Sequence, residues 1–227
     1  RGDLSRKINQ VPMKYFGTNK VKMSTITELK RTSLTLFVEE SKNQVKVIDW
    51  AKEYVYDQFS YNFKSKPIKI ISKHTNISYV LNESNELSLY DCRDRTLSQT
   101  MQFDVNNLTA SELCGWPQNC ATLAVGFKEG LVQIVDTRMM MPISSIITES
   151  VNNISPCYRN YCNFVVSSDE TVEVFDAFLG CSELSLRIPQ SKVSLYDGNV
   201  IITNNYGVFC LDCEHFENSA ILSDFGV

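Results

Sequence analysis

The chain has 227 residues, 43% of them hydrophobic, and a formal net charge of −4. This length and composition suit a globular protein that buries one substantial core, and all-β folds of this size are often a single domain. The acidic balance argues against broad binding to nucleic acid or to anionic membranes. No apolar run approaches the ~20 residues that span a bilayer.

Five copies of one strand pattern follow each other between Val21 and Phe225. In each copy an alternating run ends in two apolar residues and an Asp, and polar turn residues precede the run. The Asp residues are 42, 45, 40 and 36 positions apart, and they are Asp49, Asp91, Asp136, Asp176 and Asp212. Repeats of this length are typical of architectures in which each repeat is one supersecondary unit.

The alternation predicts four strands in each copy and almost no helix. In chain order the predicted strands are Lys22–Leu29, Ser33–Val38, Gln44–Asp49, Tyr54–Phe59, Ile68–Ser72, Ile77–Leu81, Glu86–Asp91, Leu97–Phe103, Glu112–Trp116, Ala121–Phe127, Leu131–Asp136, Ile143–Ile147, Ile154–Tyr158, Asn163–Ser167, Thr171–Asp176, Glu183–Arg187, Lys192–Tyr196, Asn199–Thr203, Gly207–Asp212 and Ala220–Asp224. Each repeated Asp is predicted to accept hydrogen bonds from the amides of the turn that follows it, rather than to form a ring of carboxylates.

The pattern resembles the WD-repeat β-propeller family in its four strands per repeat and in the Asp that ends each third strand. The position of the family's Trp-Asp pair is filled by Ile48-Asp49, Tyr90-Asp91, Val135-Asp136, Phe175-Asp176 and Leu211-Asp212. The chain departs from the family because no Trp precedes any of these Asp residues and the Gly-His pair early in each repeat is missing.

The resemblance implies an all-β fold, a β-propeller of four-stranded blades, with the five visible repeats being part of a ring that usually has seven. Residues 21–227 would form this WD40-like propeller, and residues 1–20 would be an N-terminal extension or a partial blade. The family resemblance further implies a non-catalytic scaffold that holds other proteins in a complex.

Two consecutive repeats carry an Arg two residues after the Asp, as Asp91-Cys92-Arg93 and Asp136-Thr137-Arg138. This resembles the Asp-x-Arg boxes with which WD-repeat substrate receptors of cullin-4 ubiquitin ligases bind their adaptor. It implies Asp91, Arg93, Asp136 and Arg138 as partner-binding residues. The other interpretation is an ion pair within or between blades, on a partly exposed rim.

Two further stretches are candidate binding surfaces. The basic run of Lys64, Lys66, Lys69 and Lys73 would contact phosphate or an acidic partner, or else form the solvated face of a strand. It keeps a nucleic-acid-associated propeller as an alternative function. The Met139-Met140-Met141-Pro142 run predicts either a soft apolar surface for a partner or a buried contact between blades.

Signals for catalysis and cofactors are weak. Only His74 and His215 are available for acid–base chemistry, and no nucleophile elbow or phosphate-binding glycine loop occurs, so we expect no enzyme, no cofactor and no small-molecule substrate. Cys210 and Cys213 form half of a zinc site without a second pair, so no metal is expected.

Cysteine in apolar strands, as at Cys210, behaves as a small hydrophobe and favours a reducing, intracellular compartment, cytoplasm or nucleus. Glycosylation triplets such as Asn82-Glu83-Ser84 and Asn153-Ile154-Ser155 keep a secreted receptor as an alternative.

Overall fold

The computed structural model describes residues 23–28, 34–39, 43–49, 54–72, 77–91, 96–116, 121–157 and 163–224. The predicted N-terminal extension, residues 1–20, lies outside these ranges. The described part of the chain is almost entirely β-strand, with one short 3₁₀ helix at Phe216–Asn218. No helix in these ranges is long and apolar enough to cross a membrane.

The strands form antiparallel four-stranded sheets in which neighbours in sequence are neighbours in space. Sheet 1 comprises β1 (Met23–Glu28), β2 (Leu34–Glu39), β3 (Gln44–Asp49) and β4 (Tyr54–Asn62). Sheet 2 comprises β5 (Pro67–Ser72), β6 (Ile77–Asn82), β7 (Glu86–Asp91) and β8 (Thr96–Gln102). Sheet 3 comprises β9 (Ala110–Gly115), β10 (Thr122–Phe127), β11 (Leu131–Asp136) and β12 (Met141–Ile147). Sheet 4 comprises β13 (Asn153–Pro156), β14 (Asn163–Ser167), β15 (Thr171–Asp176) and β16 (Ser182–Arg187). Sheet 5 comprises β17 (Lys192–Tyr196), β18 (Asn199–Thr203), β19 (Gly207–Leu211) and β20 (Ala220–Asp224). The all-β prediction and the four strands per repeat are confirmed.

Each fourth strand of sheets 2 to 5 contains a β-bulge, which the sequence pattern did not predict. The pairing of β11 with β12 passes from Ile134↔Ser144 to Val135↔Pro142, so Ile143 is the extra residue. The corresponding extra residues of β8, β16 and β20 are Ser98, Glu183 and Leu222. Bulges bend and twist an edge strand, which makes it a poorer template for pairing with another chain.

The chain divides into two compact units, Arg1–Gln102 and Phe103–Val227. Sheets 1 and 2 belong to unit 1, where the first strands β1 and β5 are in contact. Sheets 3, 4 and 5 belong to unit 2, where the first strands β9, β13 and β17 lie side by side in that order. The single domain over residues 21–227 stays a prediction.

Unit 2 is held together by apolar faces that stack sheet on sheet. Val132 and Ile134 of sheet 3 share a buried cluster with Phe164 and Phe175 of sheet 4. The opposite face of sheet 4 forms a second buried cluster with sheet 5, through Val165, Val172 and Val174 on one side and Val193, Val200, Ile202 and Leu211 on the other. Burial of branched aliphatic side chains on both faces of sheet 4 makes it the centre of the unit.

Hydrogen bonds reinforce both of these interfaces. The buried indole N–H of Trp116, at the end of β9, donates to the carbonyl oxygen of Asn163 at the start of β14. Its ring meets Phe164 edge to face, with 5.9 Å between ring centroids. Along the first strands, Asn153 Nδ2 donates to Glu112 Oε2 over 3.2 Å, and Asn153 Oδ1 accepts the amide of Val193 over 3.0 Å. Polar contacts therefore run from sheet 3 to sheet 5.

Candidate docking surface

The turn that follows each third strand in unit 2 is closed by the Asp at the end of that strand. Asp176 Oδ1 accepts the amides of Phe178 and Leu179, each over 2.8 Å. Asp212 Oδ1 accepts the amides of Glu214 and His215, each over 2.9 Å, and this lowers the pKa of Asp212. The prediction that these carboxylates accept turn amides is confirmed here and at Asp136. Such hydrogen bonds fix the direction in which the turn side chains point.

Asp136 adds an ion pair to this turn. Its Oδ1 accepts the Arg138 amide over 2.8 Å, and its Oδ2 lies 2.6 Å from Arg138 Nη2. The fork of hydrogen bonds from the Arg138 side chain lowers the pKa of Asp136 from 3.8 to about 2. The Arg138 side chain remains 74% exposed, whereas that of Asp136 is 9% exposed. The pair lies within one turn, and the guanidinium edge that points away from Asp136 faces solvent.

The equivalent pair in sheet 2 is described only in part. Asp91 is buried at the end of β7, and Arg93 lies outside the described residues. The ligase-adaptor hypothesis therefore stays a prediction, and reversal of charge at Arg93 and Arg138 with loss of adaptor pulldown is its test.

Large apolar side chains are exposed on the turns of sheets 3 and 4, although turns are usually polar. Met139 is 67% exposed, Phe178 57% and Leu179 76%, and Met141 is also exposed at the start of β12. We name these four residues the apolar turn surface. Met140, between its two methionine neighbours, is half-buried. Met139 and Met141 are thus exposed rather than buried between sheets, and their role in binding a partner stays a prediction.

The backbone of the methionine turn is strained. Met140 has a φ of +49°, a left-handed conformation that costs a residue with a Cβ about 1–2 kcal/mol. In the equivalent turn of sheet 4 this place is taken by Gly180, with a φ of +66°. Strained residues persist where the surrounding structure holds them in place, and they are enriched at functional sites.

The turn of sheet 4 lies against the outer strand of sheet 3. A Cβ added at Gly180 would lie 3.9 Å from Cγ1 of Ile146 in β12, and Ala177 shares a buried cluster with Ile146. The next residue, Ile147, is 85% exposed. The buried side of the sheet 4 turn therefore packs against β12 of sheet 3. Sequence reasoning missed Phe178 and Leu179, although the run of apolar residues from Ala177 to Leu179 after Asp176 was a usable signal at a turn.

The basic run carries less uncompensated positive charge than its sequence alone indicates, because one of its lysines forms an ion pair. Lys66 Nζ lies 3.4 Å from Glu83 Oε1, and Glu83 donates its amide to the carbonyl of Lys66. Lys64 is exposed on the same loop, whereas Lys69 is half-buried within β5. Lys73 lies outside the described residues. The positive charge of Lys66 is thus compensated, and the three described lysines of the run lie in a loop and a strand rather than on one strand face.

The described residues offer no cluster of three or more His, Cys, Asp and Glu that could hold a metal ion. Cys213 is buried, and burial raises the pKa of the half-buried Cys210 thiol. Asn82 is almost fully buried and its Oδ1 accepts the amide of Glu86, so this triplet cannot carry a glycan in the folded chain. The side-chain amide of Asn153 is likewise occupied by hydrogen bonds, to Glu112 and from the amide of Val193, and a glycan there would break them.

Comparison with known proteins adds no relatives: no protein-family model matches the chain, and a search of curated proteins finds no match.

Proposed function

We propose that this chain is a non-catalytic β-propeller scaffold that binds other proteins, with the apolar turn surface as a docking site. The observation that carries the proposal is the exposure of Met139, Phe178 and Leu179 on turns whose backbones are held by Asp carboxylates. Exposed large apolar groups on a stiff frame lose little conformational entropy on binding and gain from being removed from water. Methionine also adapts to partner surfaces of different shape.

The arrangement of sheets supports the propeller part of the proposal. Blades of a propeller are antiparallel four-stranded sheets joined in sequence order, with their first strands innermost. Here each sheet has the order of its strands in sequence, and first strands adjoin within each unit. In each sheet of unit 2 the repeated Asp accepts an amide of the turn after the third strand, so the loops of successive blades would begin at comparable positions.

The test of this proposal replaces apolar side chains of the apolar turn surface by charged ones, so that the apolar contact with a partner is lost. The double variant Met139→Glu and Leu179→Glu should lower recovery of co-purifying proteins from the source cells by at least about tenfold. Tyr206→Glu is the matched control. Tyr206 is also exposed, but it lies in the turn between β18 and β19, whereas the apolar turn surface lies on turns that follow third strands. Circular dichroism melting of each purified variant checks that the fold is intact. Unchanged recovery with the double variant would overturn the docking site.

A further inference from the structure

Arg138, which directly precedes the apolar turn surface, is held in one orientation by Asp136. Its Nε donates to Asp136 Oδ1 over 3.1 Å, and its Nη2 lies 2.6 Å from Asp136 Oδ2. Its backbone amide donates to the same carboxylate, so the side chain and the turn are fixed together. Arg187 of β16 is the contrast, with a side chain that is 86% exposed and lies 3.7 Å from Glu170 Oε2. An arginine that is already ordered loses little conformational entropy when it binds a second group.

The guanidinium group of Arg138 keeps a second edge for another acceptor. A guanidinium carries five N–H donors, and the fork to Asp136 uses the Nε–H and one N–H of Nη2. The remaining N–H groups point away from Asp136, and the Arg138 side chain is 74% exposed. Two of them, one on each Nη atom, are parallel and match the two oxygens of a carboxylate.

The charge around this edge favours a carboxylate over a phosphate. The side chain of Asp136 is 9% exposed and Arg138 neutralises it, so the pair has no net charge. A phosphate, with close to two negative charges, would be repelled by Asp136 about twice as strongly as a carboxylate that makes the same fork of hydrogen bonds. The net charge of −4 also disfavours an anionic membrane as the occupant.

Apolar side chains lie next to this edge in sequence. Met139, directly after Arg138, is 67% exposed, and Met141 at the start of β12 is 42% exposed. The turns of sheets 3 and 4, residues 137–142 and 177–182, contain one charged residue, Arg138. A partner that covers these turns therefore meets apolar groups and one ordered cation that can only donate hydrogen bonds.

We propose that the apolar turn surface binds a segment of a partner protein in which an Asp or Glu lies next to large apolar residues. The carboxylate takes the free edge of the Arg138 guanidinium in a bidentate contact, and the apolar side chains cover Met139 and Met141. Removal of water by the apolar contact strengthens the charged one. The proposal rests on the proposed function and adds the chemistry of the partner to it.

A peptide library tests the chemistry of the segment directly. Random dodecapeptides displayed on phage are selected on the full chain and, in parallel, on the double variant Met139→Glu and Leu179→Glu. Peptides that bind the chain and not this variant should carry an acidic residue next to Leu, Ile, Phe or Met. A selected set without acidic residues, or a library from which no such peptide emerges, overturns the proposal.

Fluorescence anisotropy with the best labelled peptide then measures the contact to Arg138. Arg138→Gln should raise the dissociation constant at least about tenfold. Arg138→Lys should not restore it, because an ammonium group cannot form two forks at once. Replacing the acidic residue of the peptide by its amide should weaken binding to the wild-type chain and change binding to Arg138→Gln very little. Arg187→Gln is the matched control and should leave the affinity unchanged.

Two outcomes separate this proposal from the proposed function. Loss of peptide binding with Met139→Glu and Leu179→Glu, together with full binding by Arg138→Gln, would keep the apolar docking site and overturn the acidic segment. Sedimentation with phosphatidylcholine vesicles that contain about 30% phosphatidylserine tests a lipid surface. Vesicle binding that the same double variant abolishes would overturn both proposals. Circular dichroism melting of each variant checks that its fold is intact.

Discussion

Single carboxylates decide how the turns of unit 2 present their side chains. The turn after each third strand donates backbone amide hydrogen bonds to the Asp before it, which is Asp136, Asp176 or Asp212. Of these three carboxylates, only Asp136 also accepts hydrogen bonds from a guanidinium, that of Arg138. The three turns therefore begin with the same kind of hydrogen bond, although the turn of sheet 5 is longer and contains the 3₁₀ helix Phe216–Asn218. They differ in what they expose: methionines in sheet 3, Phe178 and Leu179 in sheet 4, and polar residues in sheet 5.

Asp136→Asn should destabilise the chain near neutral pH and not at strongly acidic pH. The folded state lowers the pKa of Asp136 from 3.8 to about 2, so the charged carboxylate stabilises the fold above about pH 4. This contribution is lost as the pH falls through the folded value near 2. Because Arg138 is solvent-exposed, we expect the effect to be about 1 kcal/mol in the free energy of unfolding. Urea unfolding of both proteins from pH 7 down to pH 2 measures it.

Asp176→Asn is the comparison for this experiment, since Asp176 accepts two turn amides and has no arginine fork. A pH-independent difference between wild type and Asp136→Asn would contradict the ion-pair explanation.

Gly130→Ala should destabilise far more than Gly180→Ala. Both glycines have positive φ, +93° and +66°. A Cβ at Gly130 would also collide with the carbonyl oxygen of Thr148, whereas a Cβ at Gly180 meets only Ile146 at 3.9 Å. We expect losses of about 2–4 and about 1 kcal/mol, respectively. Thermal melts of the two variants compare them directly, and equal losses would mean that conformational strain outweighs the collision.

Between elements, the contact of sheet 3 with sheet 4 depends on Trp116. Trp116→Phe keeps most of the buried apolar surface but removes one of the two donors to the Asn163 carbonyl, which still accepts the amide of Cys157. We expect a loss of about 0.5–1.5 kcal/mol in the free energy of unfolding, measured by guanidinium denaturation. Tyr206→Phe, at an exposed turn, should change it by less than about 0.5 kcal/mol. A Trp116→Phe midpoint equal to wild type would show that the indole hydrogen bond adds nothing to this interface.

Strand positions could be predicted from the sequence because turn chemistry and alternation agree in every repeat. Three strands begin and end where the pattern places them, namely Gln44–Asp49, Leu131–Asp136 and Thr171–Asp176. In the last two, the Asp accepts an amide of the turn that follows. The bulges could not be predicted, because one inserted residue in a fourth strand changes no composition and only exchanges the faces on either side of it. Ile143 illustrates this, as it reads like any other strand residue.

The candidate site was predictable only where one residue type stood out. The methionine run gave Met139 and Met141, because three consecutive methionines at a turn are unusual. The exposure of Phe178 and Leu179 was not predicted, because apolar residues after a strand look like further core residues. The Lys66–Glu83 pair likewise depends on the pairing of β5 with β6, which brings together residues from different turns.

On the scale of the whole molecule, charge separates the scaffold from the nucleic-acid alternative. The chain carries 26 acidic and 22 basic residues, and Glu83 compensates Lys66 in the basic run between Lys64 and Lys73. Phosphate contacts must then compete with an overall negative field, and each phosphate neutralised would contribute a salt-dependent term to affinity. The affinity for a protein partner that docks through apolar groups has no such dependence on salt concentration.

Binding to nucleic acid should therefore be absent or very weak. Fluorescence anisotropy with labelled single-stranded and double-stranded 20-nucleotide probes, titrated with the full chain at about 50 mM and 200 mM salt, should give no saturable binding at micromolar concentrations. Lys64→Glu should leave the titration unchanged, because Lys64 is then a solvated lysine rather than a phosphate contact. Saturable binding that falls steeply between the two salt concentrations, and that Lys64→Glu weakens, would instead make the loop before β5 the functional surface of unit 1.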